Sequence, residues 1–88
     1  MLINKDFTIQ KVGTSYLAVP VGETSKHFHG MIRLNETGAF LWKQMVEKDC
    51  TEAELVEALL AEYDGAREIA ERDVHNVVEL LKQNRCFV

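Results

Sequence analysis

The sequence is short of positive charge, proline and cysteine, and it contains no long apolar run. Lys and Arg number 10 against 14 Asp and Glu, a net charge of -4. Non-specific nucleic-acid affinity comes mainly from phosphate neutralisation by basic side chains, so this balance argues against a nucleic-acid partner. The two cysteines, Cys50 and Cys86, form no CxxC pair, and neither stands near a zinc-type set of histidines. No stretch is apolar for long enough to span a bilayer, and none has the parts of a signal peptide. The expectation is a cytoplasmic protein, with no membrane contact, whose thiols stay reduced. A Cys50–Cys86 disulfide is the alternative. Repeats, low-complexity tracts and linkers are also missing.

Catalytic chemistry has no visible carrier. No nucleophile has a base and an orienting group placed by a recognisable motif, so the chain does not read as an enzyme. His27 and His29 stand two apart on a strand and point the same way. A third metal ligand is not identifiable nearby, and they read as solvated or partner-facing. No metal and no cofactor is expected.

What is present is an ordinary globular composition, 47% hydrophobic and 27% charged over 88 residues, read as a single domain spanning 1–88. Phe7 to Val12 alternates and predicts a first strand. Gly13-Thr14 predicts a tight turn. Ser15 to Val21 predicts a second strand, with the single proline, Pro20, placed where it need not donate to a ladder. A polar loop follows, then a third strand from about His27 to Leu34. In it Phe28, Gly30, Ile32 and Leu34 share one side, while His27, His29, Met31 and Arg33 share the other.

At Asn35 the period changes. Asn35 predicts a helix cap, and Leu41 with Met45 and Trp42 with Val46 repeat at helical spacing to about Lys48. Thr51-x-x-Glu54 predicts a capping box, opening a second helix striped by Leu55, Val56, Leu59, Leu60 and Tyr63. Gly65 is the expected left-handed residue after it. A third helix is expected to start between Arg67 and Ala70 and run to about Gln83. Ala70, Val74, Val77, Val78 and Leu81 form its apolar stripe, and Asn84 forms its left-handed stop. Cys86 to Val88 is expected to tuck onto the core. The order, three antiparallel strands followed by three α-helices, predicts an α+β fold.

If the strands pair in sequence, the third has one free edge. It carries no proline and no strongly repulsive row of charges, the devices that usually blunt such an edge. A free edge beside an amphipathic helix suits strand addition by an extended peptide. Closure by the domain's own tail or by a second subunit is the alternative.

The run Leu34-Asn35-Glu36-Thr37-Gly38-Ala39-x-x-Trp42 closely resembles the signature of the PqqD family of pyrroloquinoline quinone biosynthesis proteins and their relatives. Thr51-x-x-Glu54-Leu55, Ala61-Glu62-Tyr63-Asp64 and Ala70-Glu71-Arg72-Asp73-Val74 are similar to its second helix and the opening of its third. The resemblance spans about Phe7 to Phe87. It implies a winged-helix-like peptide recognition element for ribosomally made, post-translationally modified peptides. Such an element takes the leader of a precursor peptide as an added strand and presents the core to a modifying enzyme, a radical SAM maturase in the PqqD case. Carried onto this sequence, the resemblance places the leader along Phe28, His29, Gly30, Met31, Ile32 and Arg33. Its other wall would be Arg72, Asp73, Asn76, Val77 and Leu80. Ala66-Arg67 stands where relatives often carry an Asp-Pro pair, so the third helix should be poorly capped. A winged-helix DNA binder, a dimerisation module and a homodimer are the rival expectations.

Overall fold

The computed structural model describes residues 1–22 and 31–88. Strands β1 (Phe7–Val12) and β2 (Ser15–Pro20) form a hairpin in register from Phe7↔Pro20 to Val12↔Ser15. The two-residue turn between them puts Gly13 at φ +62°. Only glycine enters that region freely, and such mirror-image turns match the twist of the paired strands. Pro20 ends β2, as expected. Strand β3 (Ile32–Leu34) pairs with β2 in the register Ala18↔Ile32 to Tyr16↔Leu34, giving the antiparallel order β1-β2-β3. The predicted third strand was longer; its first part, residues 27–30, lies outside the described residues, and Met31 precedes the strand. Within β3 the alternation holds, with Ile32 and Leu34 buried and Arg33 exposed.

Helix α1 (Glu36–Glu47) begins at the expected cap, where Asn35 Oδ1 accepts from the Gly38 backbone N–H at 2.8 Å. A Cβ at Gly38 would lie 3.1 Å from that oxygen and 3.3 Å from the Leu34 side chain. Glycine there lets strand end, cap and first turn close on one another. Leu41, Trp42 and Met45 enter the core, but Val46 stays 51% exposed. It borders a surface depression with Thr8, Ile9 and Lys43 instead of packing inward.

Helix α2 (Glu52–Glu62) opens on a complete capping box. The Glu54 N–H donates to Thr51 Oγ1 (3.1 Å), and the Thr51 N–H donates to Glu54 Oε1 (3.0 Å). That Thr51 N–H bond, helped by Lys48, holds the Glu54 carboxyl below its usual range. Gly65 is not left-handed. Tyr63 already turns the chain out in an extended conformation (φ -125°, ψ 143°), so no left-handed residue is needed.

Helix α3 (Arg67–Gln83) starts at Ala66, which makes no side-chain cap bond, as its sequence predicted. Arg67 pairs instead with Glu57 on α2 at 2.7 Å, which lowers the Glu57 carboxyl and raises the Arg67 guanidinium. At its other end the left-handed residue is Arg85 (φ 56°), not Asn84. The Asn84 amide is occupied, Nδ2 donating to Leu80 O at 2.8 Å, and the reversal falls one residue later. The Cys86 N–H then reaches Leu81 O and the Arg85 N–H reaches Lys82 O, which together make a Schellman motif.

The three helices pack on one another, with α2 against α3 the most extensive pair, and α1 packs on the sheet through β2 and β3. Trp42, Leu41, Met45, Leu55 and Leu81 fill the centre. The two chain ends close one side: Ile3 bridges Phe87, and the Ile3 N–H donates to Met45 O at 3.0 Å. The C-terminal tail is thus tucked in, with Cys86 fully buried. Cys50 and Cys86 are both free and buried, so the disulfide alternative does not hold. An open three-stranded sheet followed by three helices is a winged-helix-like α+β fold.

Candidate functional site

The third strand lies at the edge of the sheet. Among the described residues, no backbone segment other than β2 hydrogen-bonds to it. Strand and helix periods then decide what this edge faces.

On α3, Ala70, Val74, Val78 and Leu81 are buried and hold the helix to the core. Beside that stripe runs a second one at the same spacing: Ile69, Asp73, Asn76, Val77 and Leu80. It includes apolar residues that the core does not use, for Ile69 is 50% exposed and Leu80 37%. Its C-terminal half, Asn76, Val77 and Leu80, faces the end of β3 across a gap. Arg33, Leu34 and Asn35 form one wall of a shallow open groove of about 340 Å³, and Asn76, Val77 and Leu80 form the other. Its lining combines three apolar side chains with two amides and a guanidinium. That arrangement can hold the side chains of an extended peptide while the strand edge offers main-chain hydrogen bonds.

Of the residues predicted for the site, Arg33, Asn76, Val77 and Leu80 come together in this groove. Met31 is 65% exposed at the entrance to β3 but does not line it. Ile32, 5% exposed, points into the core. Arg72 is exposed on α3 and lines neither this groove nor the cavity beside it. Asp73 lines a neighbouring cavity instead. Phe28, His29 and Gly30 lie outside the described residues.

Sequence reasoning missed Leu34 and Asn35 as groove residues. It put the first on the strand side opposite Arg33 and read the second as a cap; Leu34 is buried and Asn35 caps α1 as well. The neighbouring cavity was missed entirely. Thr37, Leu60, Tyr63, Ile69 and Asp73 are among its lining residues. The available signal was Ile69, an apolar residue out of phase with the core stripe in a charged run. Among the described residues, no group of three or more His, Cys, Asp or Glu side chains is placed to hold a metal ion, and no helix is long and apolar enough to cross a membrane.

A winged-helix-like domain with a groove between an edge strand and its last helix defines a class of small fold rather than one protein. Sequence comparison narrows it: the family model described as Coenzyme PQQ synthesis protein D (PqqD) matches residues 21–86, and the chain belongs to that family. No curated protein matches it. Among solved structures, the chain is similar to TbiB1 in complex with the TbiA(β) leader peptide. The TM-score is 0.72 at 21% identity, over 98% of this chain and 93% of that one. It is also similar to a lasso peptide synthetase B1 complexed with the leader peptide, with a TM-score of 0.67 at 22% identity over 93% and 89% of the two chains. At these identities the likeness is one of fold.

Proposed function

We propose that this protein binds the leader segment of a ribosomally made precursor peptide and presents it to a modifying enzyme of the radical SAM class. The observation that carries this reading is the groove between β3 and α3, with an edge strand on one side and surplus apolar residues on the other. Membership of the PqqD family supports it, as does the fold shared with two proteins solved with leader peptides.

In this reading the peptide adds a strand to β3. Met31, Ile32 and Arg33 supply the backbone, and the family resemblance adds Phe28, His29 and Gly30 to the peptide's contacts. Asn76, Val77 and Leu80 receive side chains, while Arg72 and Asp73 set the charge beside them. The domain, residues 1–88 as one unit, contributes binding and makes no bond itself. It works in the cytoplasm, where precursor and maturase meet. Ordering a disordered leader costs about 2–5 kcal/mol, so a net affinity of roughly -8 kcal/mol, near micromolar, is expected. Tethering leader and enzyme together raises the core peptide's effective concentration to roughly millimolar.

The test is a backbone-amide NMR titration with synthetic leader segments of the short peptides encoded beside its gene. Shifts concentrated on residues 31–35 and 73–80 are expected. A folded protein that shifts with none of them at several hundred micromolar, and that self-associates through β3, would instead be a dimerisation module.

A further inference from the structure

The cavity next to the groove lies between the first turn of α1, the end of α2 and the start of α3, and its volume is about 190 Å³. Its walls are mainly apolar: Leu59, Leu60, Tyr63, Ile69 and Ala70. Tyr63 is braced by Phe40, whose ring meets it edge-on at 5.7 Å, so this wall is stiff. Two carboxylates, Asp64 and Asp73, line the same cavity. Among the described residues neither is in an ion pair; Arg67, near Asp64 in sequence, is engaged by Glu57, and Arg72, next to Asp73, is exposed and does not line the cavity. The field is more negative still, because Glu36 and Glu62 act on Tyr63 and, after burial, help to push its hydroxyl pKa up.

The cavity also continues the groove. Thr37, on the cavity wall, donates from Oγ1 to Asn35 Oδ1 at 3.1 Å, and Asn35 is a wall of the groove. On α3, Asp73 stands one turn before Asn76 and Val77. Four helical residues rise about 6 Å, the length of roughly two residues of an extended strand. A peptide laid along β3 therefore passes the strand's end at Leu34 and reaches the cavity about two residues later.

We propose that this cavity is a second anchor point of the peptide groove and takes one lysine or arginine side chain. The methylene stem lies against Tyr63 and Ile69, and the cationic head reaches Asp64 and Asp73. Long basic side chains bury their stems on apolar walls while keeping the charge beside polar groups. Two carboxylates outside any ion pair, on the lining of a mainly apolar cavity, are the complement of that shape and charge. The proposal rests on capture of a peptide at β3, and it adds a sequence preference to that capture.

The test is selection from a random 12-residue displayed peptide library on the full chain, on a D64N/D73N variant, and on Met31→Pro. Both aspartates can become amides without loss of volume, and thermal melting checks that each variant is folded. The wild type is expected to enrich Lys or Arg at one fixed distance from the strand-forming apolar positions. The D64N/D73N protein should keep the apolar preference and lose the basic one, with affinity for a selected peptide falling about tenfold. Enrichment that Met31→Pro abolishes but D64N/D73N leaves basic would overturn the anchor point alone. Absence of any enrichment with the folded wild type would overturn peptide capture and the anchor point together.

Discussion

Helix α3 carries two apolar stripes that differ in what they touch. Ala70, Val74, Val78 and Leu81 lie in the core on a helix packed against α1 and α2, and all four are buried. Val77 and Leu80 lie next to them at the same helical spacing, yet they remain half-buried and exposed along the groove opposite β3, and Ile69, two turns earlier, is half-exposed on the neighbouring cavity. Exposed apolar residues scattered singly are ordinary, but neighbouring apolar residues that line a groove opposite an edge strand mark an interaction surface. One stripe holds the fold, and the other is left for something else. The difference lies in the distance to the neighbouring element: the backbones of α3 and α2 pack closely, whereas those of α3 and β3 stay apart.

The sharpest way to break the comparison is to empty the first stripe. Leu81 is fully buried, so Leu81→Ala should cost about 2–5 kcal/mol by transfer and cavity terms. Urea unfolding would measure it; a loss of stability under 1 kcal/mol would mean that the core collapses around the gap. The second stripe should answer in the opposite way. Leu80→Glu is expected to leave the melting temperature within a few degrees while weakening leader binding tenfold or more. Calorimetry on the folded variant reads this, and unchanged affinity would remove Leu80 from the peptide site.

Two smaller effects sharpen the point where the buried stripe ends. Burial pushes the Cys86 thiol from its usual 9.0 up to about 11. The unfolded chain therefore releases this proton from about pH 9 while the folded one keeps it until about pH 11. Stability contributed here is fully present below pH 9 and falls at about 1.4 kcal/mol per pH unit between those values. Unfolding curves across that range should slope more steeply for the wild type than for Cys86→Ala, and equal slopes would show that this thiol is not the cause. Finally, Arg85 occupies the left-handed position of the Schellman motif that glycine usually fills. Arg85→Gly should gain about 1 kcal/mol by relieving that backbone strain. A loss in thermal melting would mean that the arginine side chain makes contacts worth more than the strain it imposes.

Much of this was legible in residue order. The capping box at Thr51 and Glu54, the Asn35 cap and the weak start at Ala66 are local arrangements, set by atoms three or four residues apart, and each took the form its residues predicted. The misreadings fell where two local options compete. Asn84 and Arg85 are both able to end α3, and the side-chain bond from Asn84 to Leu80 O moved the left-handed residue by one position. At α2 the turn at Tyr63 made the glycine two residues later unnecessary.

The site was only half legible. Period-2 alternation put Arg33 on the side opposite Ile32 and Leu34, and sequential pairing made β3 an edge, because both follow from strand geometry and strand order alone. Its opposite wall came from family resemblance, since nothing in the α3 sequence says which of its flanks meets the sheet. Val77 reads equally well as core and as groove, and Asp73 as solvated or as facing a cavity. The sequence by itself determined the elements, their caps and the stripe each helix buries, for those depend on neighbours along the chain. Tertiary structure alone decided that α3 stands off from β3, that Leu34 and Asn35 share a groove with Leu80, and that Thr37, Tyr63 and Asp73 enclose one cavity. These residues are distant in the chain, and only the packing of α3 on α1 and α2 sets the gaps between them.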